Sequence, residues 1–190
     1  MKLFEQEKEA EKKQMKEMHA AIKKQGNRHF GVSSKSEEDV ANQALTVLFV
    51  STANACRGPM AAAWCNKMHS ATIRSFSAGV SPAEKIHASA VAAMKAKEIA
   101  LEEHKNRSLE SVSRIVFDFV IFLSAEAKSK APKFTAKTTV LDVLFDDAIG
   151  QATKTQDAAA QSAAFEHARD EIQKFIEELP DLLTFAREGM

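Results

Sequence analysis

The chain has no tyrosine, one tryptophan and two cysteines, Cys56 and Cys65, among 190 residues. So few thiols, with no secretory pattern opening the chain, point to a reducing compartment. An excess of charge is also missing, since 26 Lys and Arg residues face 26 Asp and Glu residues. That balance provides no basic field of the kind nucleic-acid binding relies on. No apolar run approaches the ~18–20 residues that span a bilayer. These absences predict a soluble, cytoplasmic protein with no nucleic-acid partner and no membrane span. The Glu-rich N-terminus argues against an acid-poor transit peptide, with an assembly inside an organelle as the remaining alternative.

What is present suits one domain of roughly 140 residues with an extension. Residues 1–26 are dominated by Lys, Glu, Gln, Met and Ala, all good helix formers. Leu3, Phe4, Met15, Met18 and Ile22 form a thin apolar stripe, and Gly26-Asn27 ends the pattern. Such a charged amphipathic helix is either solvated or docks on a partner or a second copy through residues 1–25. Residues 27–44 read as a polar linker, 45–182 as the folded domain and 183–190 as a C-terminal tail. Within the domain, Leu45 to Val50 reads as a buried parallel strand, Thr72 to Phe76 as a second and Phe117 to Leu123 as a central third. Thr138 to Leu144 supplies a fourth. Helical spacing covers Pro59 to Met68, with Met60, Ala63 and Trp64 inward, and Pro82 to Ile99. It returns from Gln156 to Leu179, with Phe165, Ala168, Ile172, Phe175, Ile176 and Leu179 on one face. Strands alternating with helices predict right-handed βαβ units and a doubly wound parallel sheet.

The stretch between the first strand and first helix, Ser51-Thr-Ala-Asn-Ala-Cys-Arg57, carries the chemistry. A strand–loop–helix turns backbone N–H groups and a helix dipole into one cradle, which suits a tetrahedral oxyanion. Arg57 adds a planar fork for two of its oxygens. The plain alternative is an ordinary turn with a surface arginine.

This stretch resembles the phosphate loop of the low-molecular-weight protein tyrosine phosphatases and of the thioredoxin-coupled arsenate reductases. Their loop reads Cys-x5-Arg, then Ser-Pro-Met-Ala or Ser-Gln-Met-Ala. Asn54, Cys56, Arg57, Pro59, Met60 and Ala61 match, whereas Ser51 stands at the position of the nucleophilic cysteine and Gly58 at that of the serine. Ser77-Ala-Gly79 matches the end of the second strand. Phe145-Asp-Asp-Ala148 matches the acid loop, and Phe165 to Ile172 is similar to the arsenate reductase helix. The resemblance implies a three-layer α/β fold with four parallel strands in the order 2-1-3-4, no cofactor and no metal. It implies phosphate or a similar oxyanion bound by Ser51, Thr52, Ala53, Asn54, Ala55, Cys56 and Arg57. The general-acid position falls at Asp147, with Asp146 as runner-up because Ala148 replaces the family's proline.

Against the same pattern, Ser124 and Ala131 stand where the arsenate reductases place two redox cysteines, so reduction by that relay is not expected. The tyrosines that commonly follow the acid loop are absent, so no aromatic wall for phosphotyrosine is expected. The first expectation is a pseudophosphatase, catalytically silent, that binds an oxyanion or phospho-ligand or serves as a structural subunit of a larger assembly. The alternative is an active tyrosine phosphatase, working through a cysteinyl-phosphate, captured as a Cys-to-Ser mutant. A third reading is slow hydrolysis through Ser51, for which His87 or His104 would have to approach as a base.

Overall fold

A computed structural model describes residues 44–101 and 104–188. Strand β1, Leu45–Ser51, is buried from Val47 onward. Helix α1, Arg57–His69, follows the loop and leads to β2, Ile73–Gly79. After α2, Ala88–Lys95, and a 3-10 turn at Glu110–Val112, the short central strand β3, Phe119–Phe122, is buried at every position. Helix α3, Ala125–Lys130, connects it to β4, Thr139–Asp142. Helices α4, Ala148–Ala152, and α5, Ala158–Glu177, complete this unit.

The four strands are parallel in the order β2-β1-β3-β4. Phe49 lies level with Ser77 on one side and Ile121 on the other, and Ile121 with Leu141. Side chains of a strand alternate between faces. Leu48, Val50, Ala78, Val120 and Phe122 therefore share one face, where they pack with Val112 of the 3-10 turn and Ala127 of α3. Val47 and Phe49 point the other way and are fully buried. Helix α1 packs on β1 and β2 and against α5, which also packs on α2 and α4. The expected three-layer α/β fold and strand order are both present.

Several boundaries differ from the sequence reading, each for a local reason. Helix α1 begins at Arg57, two residues before Pro59, and Ala61 and Cys65 are buried while Ala63 is only half-buried. The helix expected from Pro82 starts only at Ala88, because the amides of Val80, Ser81, Ala83 and His87 bond to carbonyls of Ser51 to Ala55 instead. Strand β4 ends at Asp142, and Leu144 is exposed. The long helix stops at Glu177, so Leu179 opens a new helix, α6, Leu179–Glu188. That helix belongs to a separate compact unit from Lys35–Glu178. Its buried stripe is Leu179, Leu182, Leu183 and Ala186, and it crosses the boundary expected between domain and tail at 182/183. The expected N-terminal helix and nearly all of the linker lie outside the described residues.

Candidate functional site: the loop between β1 and α1

The loop sits beyond the carboxyl end of β1, next to the point where the strand order reverses, which is where doubly wound sheets place their ligands. Its shape follows from where its carbonyls go. Val80 N–H donates to Ser51 O (3.2 Å), Ser81 to Thr52 O (2.9 Å), Ala83 to Ala53 O (2.9 Å) and His87 to Ala55 O (2.8 Å). Asn106 Nδ2 adds a bond to Ala53 O at 3.3 Å and ties it to Ala83 O at 2.7 Å. With these carbonyls drawn to the segment after β2, the trans peptide geometry turns the amides that follow them the other way. Gly79 lets this segment approach so closely, since a Cβ there would lie 3.0 Å from Thr52 O and 3.1 Å from Asn54 Cβ. Asn54 turns the chain at φ 49°, a left-handed conformation that Asn tolerates better than most residues.

Helix α1 opens directly from this loop. Its N-cap, Cys56, offers no side-chain hydrogen bond, and no acidic residue occupies the first turn. The first amides of a helix otherwise rely on a cap, water or a ligand. Lys67 and His69 in the last turn complement the negative end of the dipole. An anion at the N-terminus therefore meets uncapped amides and no competing carboxylate from α1.

Ser51 is 3% exposed and Asn54 0%, and Ser51 Oγ, Asn54 Oδ1 and Asn54 Nδ2 have no hydrogen-bond partner. They converge under Gly58, where a Cβ would lie 2.2 Å from Asn54 Oδ1 and 3.1 Å from Ser51 Oγ. A buried polar atom left unpaired costs about 1–3 kcal/mol, so this arrangement calls for a ligand or bound water.

Arg57 lies at the rim. Its Nη1 donates to Phe145 O (3.0 Å) and its Nη2 to Asp147 Oδ1 (3.2 Å). Asp147 also N-caps α4 through Gly150 N–H at 3.2 Å, so one carboxylate fixes both the acid loop and the arginine. Asp146 turns elsewhere and accepts from Gln151 Nε2 at 3.0 Å. The structure thus brings Asp147 to the loop and leaves Asp146 beside it. On the other side, Thr52 Oγ1 lies 3.2 Å from Ser124 Oγ and donates to Glu126 Oε2 at 3.1 Å. The hydrogen bonds from Lys130 and then Thr52 hold the Glu126 carboxyl below its usual range. Ser124 N-caps α3 through Ala127 N–H, and Ala131 ends that helix in extended backbone.

Neither thiol is primed as a nucleophile. Burial pushes Cys56 up to about 12, against the opposing pull of Arg57, and its sulfur faces Met60 Sδ at 3.9 Å. Burial likewise pushes Cys65 up to about 11, a hydrogen bond with Ser75 acting in the other direction. Nor does an imidazole serve Ser51. His87 stacks on Phe165 with ring centroids 4.7 Å apart and caps α2 through Ser89 N–H. His104 Nε2 bonds Ser77 Oγ at 2.9 Å, and burial, then Arg107, lowers its pKa. Among the described residues no group of three His, Cys, Asp or Glu side chains converges as metal ligands, and no helix is long and apolar enough to cross a membrane.

The sequence pattern of the low-molecular-weight phosphotyrosine protein phosphatases matches residues 46–187, most of the chain. The chain belongs to that family. Curated proteins similar to this chain include bacterial arsenate reductases. Arsenate reductase 1 of Staphylococcus haemolyticus is 26% identical over 138 residues, covering 73% of this chain and 96% of that protein. The Brevibacillus brevis arsenate reductase is 29% identical over 127 residues, covering 67% and 87%. Among solved structures, an arsenate reductase in the phosphate binding state superposes with a TM-score of 0.57 at 20% identity, covering 73% of this chain and 98% of that one. A low-molecular-weight protein tyrosine phosphatase from T. tengcongensis gives a TM-score of 0.56 at 24% identity, covering 73% and 99%. These likenesses establish a shared fold.

Three participants at the family's loop escaped the sequence reading. Phe145 enters through its carbonyl, to which no side-chain pattern points. Asn106 lies between α2 and the 3-10 turn, and only the folded chain brings its amide to the loop. Glu126 reaches Thr52 only because Ser124 and α3 bring it there.

Proposed function

We propose that this family member binds a tetrahedral oxyanion without turning it over, as a pseudophosphatase in which Ser51 takes the place of the nucleophilic cysteine. The observation that carries the reading is Ser51 Oγ, buried and without any hydrogen-bond partner. A serine hydroxyl needs a base to attack phosphorus, and both nearby histidines are engaged elsewhere. The surrounding hardware for binding is retained: outward-turned loop carbonyls, an uncapped helix N-terminus and Arg57. Ser51 to Arg57 are the binding residues of this reading, and Asp147 occupies the general-acid position with no nucleophile to serve. The protein then acts as a reader of phosphate or a phosphorylated group, or as a subunit that uses such binding in an assembly.

Calorimetric titration of inorganic phosphate into the protein and into Arg57→Ala tests it. Saturable binding that Arg57→Ala weakens by about tenfold or more is expected, in line with the loss of a charge-assisted bond. No saturable heat from either protein would sink the binding claim, and equally tight binding by both would remove Arg57 from it.

The rival reading, an active phosphatase stripped of its cysteine, is tested by Ser51→Cys. Serine at 58 cannot help a thiolate here, because Gly58 leaves its space to the Asn54 amide. Hydrolysis of p-nitrophenyl phosphate by the Ser51→Cys variant is expected to stay at the background level. Turnover at about 1 per second or faster, ordinary for enzymes, would instead favour a captured phosphatase.

A further inference from the structure

Resting on the anion-binding reading, the geometry points to a narrower ligand: free hydrogen phosphate, selected by its proton against sulfate and against phosphate monoesters. The concave side of the loop offers donors, but acceptors surround them. At the floor, Ser51 Oγ, Asn54 Oδ1 and Asn54 Nδ2 are all buried and unpaired, the first two both close to Gly58. With no hydrogen bond between them, the Asn54 carbonyl oxygen and the Ser51 lone pairs each remain acceptors that a proton on the ligand can satisfy. Reversing the Asn54 amide changes which atom is which, yet one buried acceptor remains without a donor.

The rim repeats the pattern. Asp147 Oδ1 lies 3.2 Å from Arg57 Nη2 and Phe145 O lies 3.0 Å from Nη1, so each terminal nitrogen open to an anion already faces an acceptor. Glu126 Oε2 stands 3.1 Å from Thr52 Oγ1 at the opposite edge. A ligand oxygen that accepts from Arg57 therefore sits near the Asp147 carboxylate. Two negatively charged oxygens at hydrogen-bond distance repel, whereas a P–OH group turns the same contact into a charge-assisted hydrogen bond.

At about pH 7.5 inorganic phosphate keeps a proton in either of its main forms. Sulfate keeps none, and a phosphate monoester, whose second proton leaves near pH ~6, is mostly a bare dianion. All three are tetrahedral and of similar size, so the proton is what separates them. The chemistry discriminates by leaving the site's acceptors unpaired when the wrong anion binds, the way a polar site rejects an analogue that lacks a donor.

The test is calorimetry at about pH 7.5 on the full chain with sodium phosphate, sodium sulfate and phenyl phosphate, repeated on Asp147→Asn. Phosphate is expected to bind at least about tenfold more tightly than either competitor, the scale of one buried acceptor left unpaired. Asp147→Asn keeps an N-capping side chain for α4 but presents an amide that can donate, so the gap between phosphate and sulfate should narrow by about threefold or more. Sulfate matching phosphate in the parent protein would overturn the proton-based selection. Phenyl phosphate matching phosphate would overturn the assignment to the free ion. If no anion binds and Arg57→Ala is indistinguishable from the parent, it is the underlying anion-binding reading that fails.

Discussion

At the scale of single residues, both thiols are held in their neutral, unreactive form. Cys56 lies one residue from Arg57, whose charge favours a thiolate, yet burial dominates and carries its pKa up to about 12. Cys65, inside α1, reaches about 11 for the same reason. Both thiols should therefore resist a disulfide reagent such as DTNB near pH 8 in the folded protein and react promptly in urea. Rapid modification of either thiol in the native state would contradict the burial argument. The same shifts set a stability trend with a definite sign. A thiol whose folded pKa is raised stabilises the native state below its unfolded pKa, near pH ~8.5, and that contribution is lost as pH rises through the folded values. The urea midpoint is expected to fall between about pH 9 and pH 11 in the parent, and to fall less in a Cys56→Ala variant. Ser51 and Asn54 show what a sequence does and does not disclose at this scale. Their identities and the alignment with Arg57 are visible in the residues themselves. That their polar atoms meet, unpaired, beneath Gly58 depends on a backbone turn at Asn54 that no periodicity encodes.

At the scale of elements, the loop and the segment after β2 form one device. Residues 80–87 lie in a stretch whose helical spacing predicted a helix from Pro82 onward. Helix formation there would spend their amides on carbonyls four residues back. Instead Val80, Ser81, Ala83 and His87 donate to the loop after β1, and the helix waits until Ala88. Pattern reasoning sees only side chains, so a competition between two sets of backbone partners is invisible to it. The β1 and β3 runs were legible because each is apolar along its whole length, the signature of a strand covered on both faces. At the loop's inner wall, Gly58 and Asn54 are fitted to each other. Gly58→Ala places a Cβ 2.2 Å from Asn54 Oδ1 and must push a fully buried amide aside, a loss of about 1–3 kcal/mol. Asn54→Gly removes the amide while keeping a residue that accepts positive φ. In urea unfolding, Gly58→Ala should cost clearly less in the Asn54→Gly background than alone, a coupling that a double-mutant cycle reads directly. Simple additivity would show that Ser51 or the backbone, not Asn54, is what makes glycine necessary at position 58.

At the scale of the unit formed by Lys35–Glu178, the strand order β2-β1-β3-β4 puts β1 inside the sheet, so the loop grows out of an interior strand. That topology was legible from alternating strand and helix signals together with the family resemblance. The approach of Glu126 to Thr52 was not, because it depends on how β3 and α3 sit beside β1. The architecture has a mechanical consequence. The loop's carbonyls are bound to one neighbouring segment, Arg57 to the segment after β4, and α1 to β1, β2 and α5. The cradle therefore has no independent means of staying folded when the sheet opens. Trp64, the chain's single tryptophan, is buried in α1 next to it and reports on this region, while far-UV circular dichroism reports on the whole. Ile121, fully buried in β3 between Phe49 and Leu141, sits at the centre of the sheet and away from every residue of the loop's hydrogen-bond network. Ile121→Ala should destabilise by about 2–5 kcal/mol through the cavity it leaves. Tryptophan fluorescence and circular dichroism should move to lower urea together and by the same amount, as coincident probes do in a cooperative transition. A fluorescence transition that stayed in place while circular dichroism shifted would mean that α1 and the cradle fold apart from the sheet. The site's preorganisation would then have to be sought in the loop alone.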